Sequence, residues 1–271
     1  MRKDIRLILS DIDGTLVGDA RAGVPEVNKR ALLKASESGI IVALCSGRPE
    51  RGIRPLLEEI GITGPVGCYG GALTKDEHGT ILDGHTMDKE LCLGILSIGR
   101  TIQKDGNITF FMFDSDDWYK ERQDKWSTFE EEVSCEGVLV PSIEESVRQT
   151  KAVYKLLAIS DDTNTLLTLR DAILSAYGKV IDSYLSSPNY LEIMLRGIDK
   201  GIAGTVLAKH YNIGKEQVMA VGDYYNDIGM FREAGYRVAM GNAPEEVKKA
   251  ADIVTASNVD GGLGKAIMDI L

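Results

Sequence analysis

Cysteine is scarce and poorly placed for cross-linking. The four present, Cys45, Cys68, Cys92 and Cys135, are widely spaced, and none forms a C-x-x-C pair. That argues against a zinc site and a disulfide framework, and it suits a reducing compartment. Long apolar runs are missing too. The longest, residues 40–45, is far shorter than the ~20 residues a membrane-crossing helix needs. Met1-Arg2-Lys3-Asp4 leads straight into a short apolar run with no small-residue cleavage site, so no secretory leader is expected. The expectation is a cytoplasmic protein with no membrane partner. Positive charge is in short supply: 31 Lys and Arg stand against 41 Asp and Glu, a formal net charge of -10. A general nucleic-acid binder needs a basic face to neutralise phosphates, and this chain offers none overall. A locally positive pocket for one small phosphate ester stays open. The three histidines, His78, His85 and His210, are scattered and read as solvated. No internal repeat or low-complexity segment is present.

What is there is ample for a core. With 271 residues, 44% of them hydrophobic, the chain can build one large domain or two medium ones. Residues 5–9 and 40–45 are short apolar runs that read as buried strands, and 65–69 as a third. Helical spacing of Val27, Ala31, Leu32 and Ala35 predicts a helix over 25–39, started by Pro25 and stopped by Gly39. Another follows over 50–60. Strand, helix, strand, helix, strand implies parallel units in a doubly wound sheet. The pattern changes after a polar hairpin at 75–84. A helix over 88–106, strands at 108–113, 153–160 and 180–185, and a helix over 164–177 follow, with a mixed stretch holding Trp118 and Trp126. From Tyr190 the earlier character returns, with strands at 190–194 and 218–221 and a terminal helix at 262–271. The expected fold is a doubly wound, Rossmann-like parallel-sheet α/β core in two parts, 1–82 and 190–271. The segment 83–189 is an inserted, smaller α/β domain.

Chemistry-bearing residues collect in loops at the ends of the strands expected in the core. The first strand runs into Asp11-Ile12-Asp13-Gly14-Thr15-Leu16, the second into Ser46-Gly47-Arg48-Pro49. Gly197-Ile198-Asp199-Lys200-Gly201 follows the strand at 190–194, and 218–221 opens into Gly222-Asp223-Tyr224-Tyr225-Asn226-Asp227. Strand ends of a parallel sheet converge, and ligands bind there. The loops together supply three or four carboxylates, a hydroxyl, an amide and an ammonium. Two acids as close as Asp11 and Asp13 repel, and a hard cation relieves that. The set suits phosphoryl transfer, which needs neutralised charge and in-line positioning. A carboxylate can attack phosphorus itself, and a second can pass a proton to the leaving oxygen and then take one from water.

The four motifs, in this order and with this insertion, resemble the haloacid dehalogenase superfamily, and within it the Cof-type phosphatases with a type IIB cap. The resemblance covers the whole chain. It implies a Mg²⁺-dependent phosphatase acting on small phosphomonoesters, such as sugar phosphates, pyridoxal phosphate or flavin mononucleotide, through an aspartyl-phosphate. It implies Asp11 as nucleophile and Asp13 as general acid and base, with Asp13 also binding Mg²⁺ through its main-chain carbonyl. Lys200 would hold the nucleophile and the transferring oxygens. Gly14, Ser46, Gly47, Arg48 and Asn226 fall on the phosphate-binding side, although Arg48 could instead face a neighbouring carboxylate. Asp11, Asp13, Asp223 and Asp227 form the implied metal shell. The sequence departs from the family's usual Asn-Gly-Ala after the third strand, where it has Gly70-Gly71-Ala72. Two other readings stand beside the phosphatase: a phosphohexomutase-type transferase and a non-catalytic metabolite-binding regulator. The partner is a small phosphorylated metabolite in the enzymatic readings, and the oligomeric state is open. Asp114–Asp117 reads as an acidic surface turn or a second metal site. Trp118, Tyr119 and Trp126 line a substrate face, fill the inserted domain's core or form an oligomer contact.

Overall fold

The computed structural model describes residues 4–18, 23–103 and 106–271. Residues 1–3, read above for the lack of a leader, and 104–105, near the end of the expected helix over 88–106, lie outside them. The chain divides into two compact units, residues 1–84 with 199–271, and residues 85–198.

The first unit opens with β1 (Leu7–Ser10), α1 (Glu26–Glu37), β2 (Ile41–Cys45), α2 (Arg54–Ile60), β3 (Val66–Cys68), β4 (Leu73–Lys75) and β5 (Ile81–Gly84). The second holds α3 (Lys89–Ile102), β6 (Thr109–Phe113), β7 (Trp118–Lys120), α4 (Lys125–Val133), β8 (Val138–Leu139), α5 (Ile143–Gln149), β9 (Lys155–Ile159), α6 (Thr163–Tyr177), β10 (Ile181–Ser187) and β11 (Tyr190–Leu195). The first unit is completed by α7 (Gly201–His210), β12 (Val218–Gly222), α8 (Ile228–Glu233), β13 (Tyr236–Ala239), α9 (Glu245–Lys249), β14 (Ile253–Val254) and α10 (Gly262–Met268). None of the helices among the described residues is long and apolar enough to cross a membrane.

The first unit's sheet runs β14-β13-β12-β1-β2-β3-β4-β5. It is parallel from β14 to β3, and β4 and β5 add an antiparallel edge. β1 lies at the middle, with Leu7 in register with Val218 on one side and Ile41 on the other. Leu7, Ile8, Leu9 and Ser10 are all fully buried. A strand covered on both faces cannot alternate apolar with polar residues, which is why it reads as an unbroken apolar run. Asn28, buried on α1, donates to the Leu16 carbonyl at 2.8 Å and accepts from the Gly264 amide at 2.8 Å. One side chain thus ties α1 to the loop after β1 and to α10.

The second unit's sheet runs β10-β11-β9-β6-β7-β8. Phe110, Met112, Leu156, Ala158, Leu191 and Ile193 share a core with residues of α3, α5 and α6. Phe111 and Phe113 alternate to the opposite face. There Trp118, fully buried, meets Phe111 edge-on at 4.9 Å and gives its indole N–H to the Cys135 carbonyl at 2.9 Å. Trp118 is therefore core.

One expectation needs correction. The sequence pattern puts the strand at 190–194 in the core and ends the inserted domain at 189. Instead β11 pairs antiparallel with both β10 and β9, so it belongs to the inserted unit, which runs from His85 to Ile198. The Pro188-Asn189 turn closes the β10–β11 hairpin within that unit, and the segment 186–189 marks no boundary between the two. The mixed stretch around the tryptophans also resolves into β7, α4, β8 and α5. Asp124 caps α4, accepting from Trp126 and Ser127 amides at 3.0 and 2.9 Å. Asp114–Asp117 is a turn: Asp114 accepts from the amides of Asp116 and Asp117 and from the Tyr119 hydroxyl.

Candidate active site

Parallel pairing of β2, β1, β12 and β13 brings the loops that follow them to one edge of the first unit's sheet. After β1 the chain turns tightly, with Gly14 and Val17 amides closing on Val17 and Ile12 carbonyls at 2.9 and 3.0 Å. Gly14 sits at φ +90°, and a Cβ there would overlap the Asp223 carboxylate. The residue must be glycine for two reasons: the left-handed backbone and the carboxylate packed against it.

Asp11, 5% exposed, follows the last residue of β1, and its amide donates to the Val221 carbonyl at 3.0 Å. Its Oδ1 accepts from Lys200 Nζ. The same ammonium donates to Asp227 Oδ1 at 2.6 Å. Asp227, fully buried, spends its other oxygen on the Asp223 and Tyr224 amides at 2.8 and 2.9 Å. Asp227 therefore shapes the loop that presents Asp223 and shares the cation of Lys200 with the nucleophile candidate. Asp223 Oδ1 accepts from Thr15 Oγ1 at 2.8 Å, and its Oδ2 from Asn242 Nδ2 at 3.3 Å.

One buried ammonium between two carboxylates leaves negative charge in excess. Burial, with repulsion from Asp227 and Asp223, pushes Asp11 well above the usual carboxylate range despite Lys200. Burial also raises Asp223, with Asp227 adding to it and the Thr15 hydrogen bond opposing. Burial opposes the charge on Lys200 as well, but Asp11 and Asp227 outweigh it, so its shift is upward and it stays cationic. Asp11, Asp223 and Asp227 each bring an oxygen within 4.8 Å of the others. Three converging, repelling oxygens fit a hard divalent cation.

Lys200 reaches this group by a different route from the one expected. It does not end a strand of this sheet. It occupies the N-cap position of α7, where the Asp199 carboxylate accepts from the Gly201 amide at 2.8 Å. The loop after β3 buttresses it. Tyr69, Gly70 and Gly71 take φ of +52°, +63° and +100° in succession. A Cβ on Gly71 would overlap the Asp199 carbonyl, beside the Lys200 backbone. Gly70 occupies a conformation that asparagine also tolerates, so the Gly-for-Asn departure keeps the turn.

Ser46 is 2% exposed, with its amide on the Gly67 carbonyl at 2.8 Å and its Oγ accepting from the Arg48 amide at 3.3 Å. Arg48 faces a carboxylate: Nε donates to Asp13 Oδ2 at 3.0 Å, and Nη2 to Oδ1. A Cβ at Gly47 would meet open space, and Asn226 is exposed on the Asp223 loop, outside the hydrogen-bonded group. Thr15 and Asn242 were not among the expected site residues. Thr15 lies inside the first motif. Asn242 follows β13 by a Gly-Asn pair at the same sheet edge, a position that four separate motifs do not flag.

The chain is similar to known proteins along its whole length. The family profile of haloacid dehalogenase-like hydrolases matches residues 8–267. The 5-amino-6-(5-phospho-D-ribitylamino)uracil phosphatase YwtE of Bacillus subtilis is 27% identical, over 98% of each chain. The pyridoxal phosphate phosphatase YbhA of Escherichia coli is 28% identical, over 97% of each. A crystal structure of a haloacid dehalogenase-like hydrolase from Bacteroides thetaiotaomicron superposes with a TM-score of 0.88 at 29% identity, covering 98% of this chain and 100% of that one.

Proposed function

The chain belongs to the haloacid dehalogenase-like hydrolases and is a phosphatase, and from that membership we propose that it hydrolyses small metabolite phosphomonoesters with Mg²⁺ through an aspartyl-phosphate on Asp11. The observation that carries the reading is the buried group Asp11, Lys200 and Asp227, with the half-buried Asp223 on the loop that Asp227 holds. A binding protein has no need to bury two carboxylates, with a third half-buried beside them, around one ammonium, because each costs solvation.

In this reading an Asp11 carboxylate oxygen attacks phosphorus while the ester P–O bond breaks. Asp13 gives the leaving oxygen its proton. The resulting Asp13 carboxylate then takes a proton from water, which attacks the same phosphorus and restores Asp11 with release of inorganic phosphate. Lys200 holds Asp11 and neutralises charge on the transferring oxygens. Ser46, with the Gly14 and Gly47 backbone, lies on the phosphate-binding side, as does Asn226. Asp11 and Asp223 would hold Mg²⁺ with the Asp13 carbonyl, and Asp227 would keep Asp223 in place. The bound ion supplies charge that offsets the repulsion between carboxylate and phosphate dianion. Burial pushes the Cys45 and Cys92 thiols up to about 12, so they stay protonated, and no cysteine pair among the described residues is a disulfide. A cytoplasmic setting is part of the same proposal.

The test is phosphate release from sugar phosphates, pyridoxal phosphate, flavin mononucleotide and 5-amino-6-(5-phospho-D-ribitylamino)uracil. Each is run with Mg²⁺, with a chelator and with Asp11→Asn. Release that needs both Mg²⁺ and Asp11 is the expected result and ranks the substrates. Release that survives the chelator or Asp11→Asn overturns the mechanism. Consumption of ester only when a sugar bisphosphate is added, without free phosphate, would make the protein a mutase.

A further inference from the structure

Asp223 is gripped by two donors. Thr15 Oγ1 reaches Oδ1 at 2.8 Å, and Asn242 Nδ2 reaches Oδ2 at 3.3 Å. The second donor is unusual in what else it holds. The same Asn242 amide nitrogen donates to the Gly14 carbonyl at 3.0 Å. Its Oδ1 accepts from the Asn258 amide at 3.0 Å. One side chain therefore joins three loops: the one after β1 that carries Asp11 and Asp13, the one after β12 that carries Asp223, and the one after β14.

The polarity of this clamp follows from its surroundings. The carboxamide carbonyl is committed to Asn258, which fixes which way the amide points. Both N–H bonds are then directed at oxygens of the candidate site. A carboxylate has about four acceptor positions, and a cation needs one of them aimed at it. Two donors, one on each oxygen, stop the Asp223 carboxylate from rotating about its last bond. With Gly14 packed against that carboxylate, the group has a single orientation.

We propose that Asn242 is a positioning residue for the cation site, fixing the Asp223 carboxylate and the Gly14 turn in one mutual geometry. The proposal rests on the Mg²⁺ reading given above. Asn242 makes no contact that the phosphoryl chemistry requires, and it carries no charge. Its effect belongs in the affinity for the cation, with little change in turnover once the cation site is full. Donors that orient metal-ligating carboxylates typically contribute about 10–100-fold in metal affinity.

The experiment is Mg²⁺ binding to the full chain by isothermal titration calorimetry, on wild type, Asn242→Ala and Asn242→Ser. Phosphate release is followed in parallel against Mg²⁺ concentration. Serine is polar but too short to span the three loops, and it covers the case in which the alanine variant does not fold. The expected result is a Kd for Mg²⁺ raised about 10-fold or more in each folded variant. The Mg²⁺ concentration for half-maximal rate shifts in step, and kcat at saturating Mg²⁺ stays within about twofold. A folded variant with wild-type Mg²⁺ affinity overturns the proposal and leaves the phosphatase reading intact. Wild-type protein that binds no Mg²⁺ overturns both.

Discussion

Arg48 grips Asp13 with two of its nitrogens, Nε on Oδ2 at 3.0 Å and Nη2 on Oδ1. A guanidinium matches a carboxylate in this forked way because both are planar. The Arg48 side chain is 11% exposed and the Asp13 carboxylate 45%, so the contact lies at the mouth of the site, not in its floor. Both oxygens of the residue assigned to proton transfer are thus occupied as acceptors. Each oxygen keeps a second lone pair that Arg48 leaves open, so Asp13 can carry and deliver a proton while the fork holds its orientation.

This separates two roles for Arg48. A lysine keeps the charge but offers a point donor in place of a fork. If Arg48 positions Asp13, Arg48→Lys lowers kcat about 10-fold while KM moves less than about threefold, a loss in the transition state alone. A rise in KM with kcat unchanged would assign Arg48 to the phosphate instead. Steady-state kinetics on the best ester of the panel decides it.

Lys200 is the only positive charge that hydrogen bonds bring to Asp11 and Asp227 among the described residues. Lys200→Met leaves two buried carboxylates facing each other, a change that costs about 3–5 kcal/mol. Urea denaturation measures it. The cost is expected to shrink as pH falls, because Asp11 is already biased toward its neutral form by burial and by its carboxylate neighbours. Added Mg²⁺ is expected to recover part of the loss by binding the folded state. A Lys200→Met protein as stable as wild type at pH 8 would mean that the ammonium is not what holds the group together.

Most of this site could be read from the chain because its residues lie at the ends of short apolar runs. A buried parallel strand is an unbroken apolar segment, and the residue after it lies at the carboxyl edge of the sheet. Asp11, Ser46 and Asp223 follow from that alone. Lys200 also came out as a site residue, but by the wrong route. β11 is apolar and runs into a Gly-containing turn, so it imitates a core strand, and only its antiparallel pairing with β9 and β10 reveals its true sheet. Pairing partners are long-range information that a local pattern does not hold. The Arg48 choice was open for a similar reason: a phosphate and a carboxylate attract it equally, and only the position of Asp13 across 35 residues decides. Asn242 was missed because its function lies in holding three loops, and no local spacing records that.

The turn at Tyr69, Gly70 and Gly71 makes a prediction away from the charged groups. Gly71→Ala imposes a side chain at φ +100° and pushes it into the Asp199 carbonyl. Left-handed backbone on a non-glycine residue costs about 1–3 kcal/mol before any overlap is counted. The expected result is a Tm lower by about 2–4 °C for each kcal/mol in a chain of this size. Activity is expected to fall further than stability explains, because Asp199 leads directly into Lys200. Gly70→Asn tests the other half of the argument: asparagine accepts φ +63°, so stability and activity stay near wild type.

In the inserted unit, Glu144 links α5 to α3. Arg100 Nε donates to its Oε1 at 2.8 Å, and the Ser142 hydroxyl to its Oε2 at 2.9 Å. Burial resists the charge on Glu144, but these hydrogen bonds outweigh it and lower the carboxyl from its ordinary 4.5 to about 2. A carboxyl lowered by folding binds fewer protons in the folded chain than in the unfolded one. Its contribution is therefore complete above the unfolded value and is lost as protons are taken up on acidification. The window runs from about 4.5 down to about 2. Glu144→Gln keeps the shape and removes the titration. At pH 7 the variant is expected to be less stable than wild type, because Arg100 loses one of its two carboxylate partners and keeps only Glu121 at 2.5 Å. Between pH 4.5 and 2 the two proteins are expected to converge. Thermal melts at half-unit pH steps read this directly. Parallel curves through the window, with the gap unchanged, would show that the Arg100–Glu144 contact stabilises by shape and packing and that its charge contributes nothing.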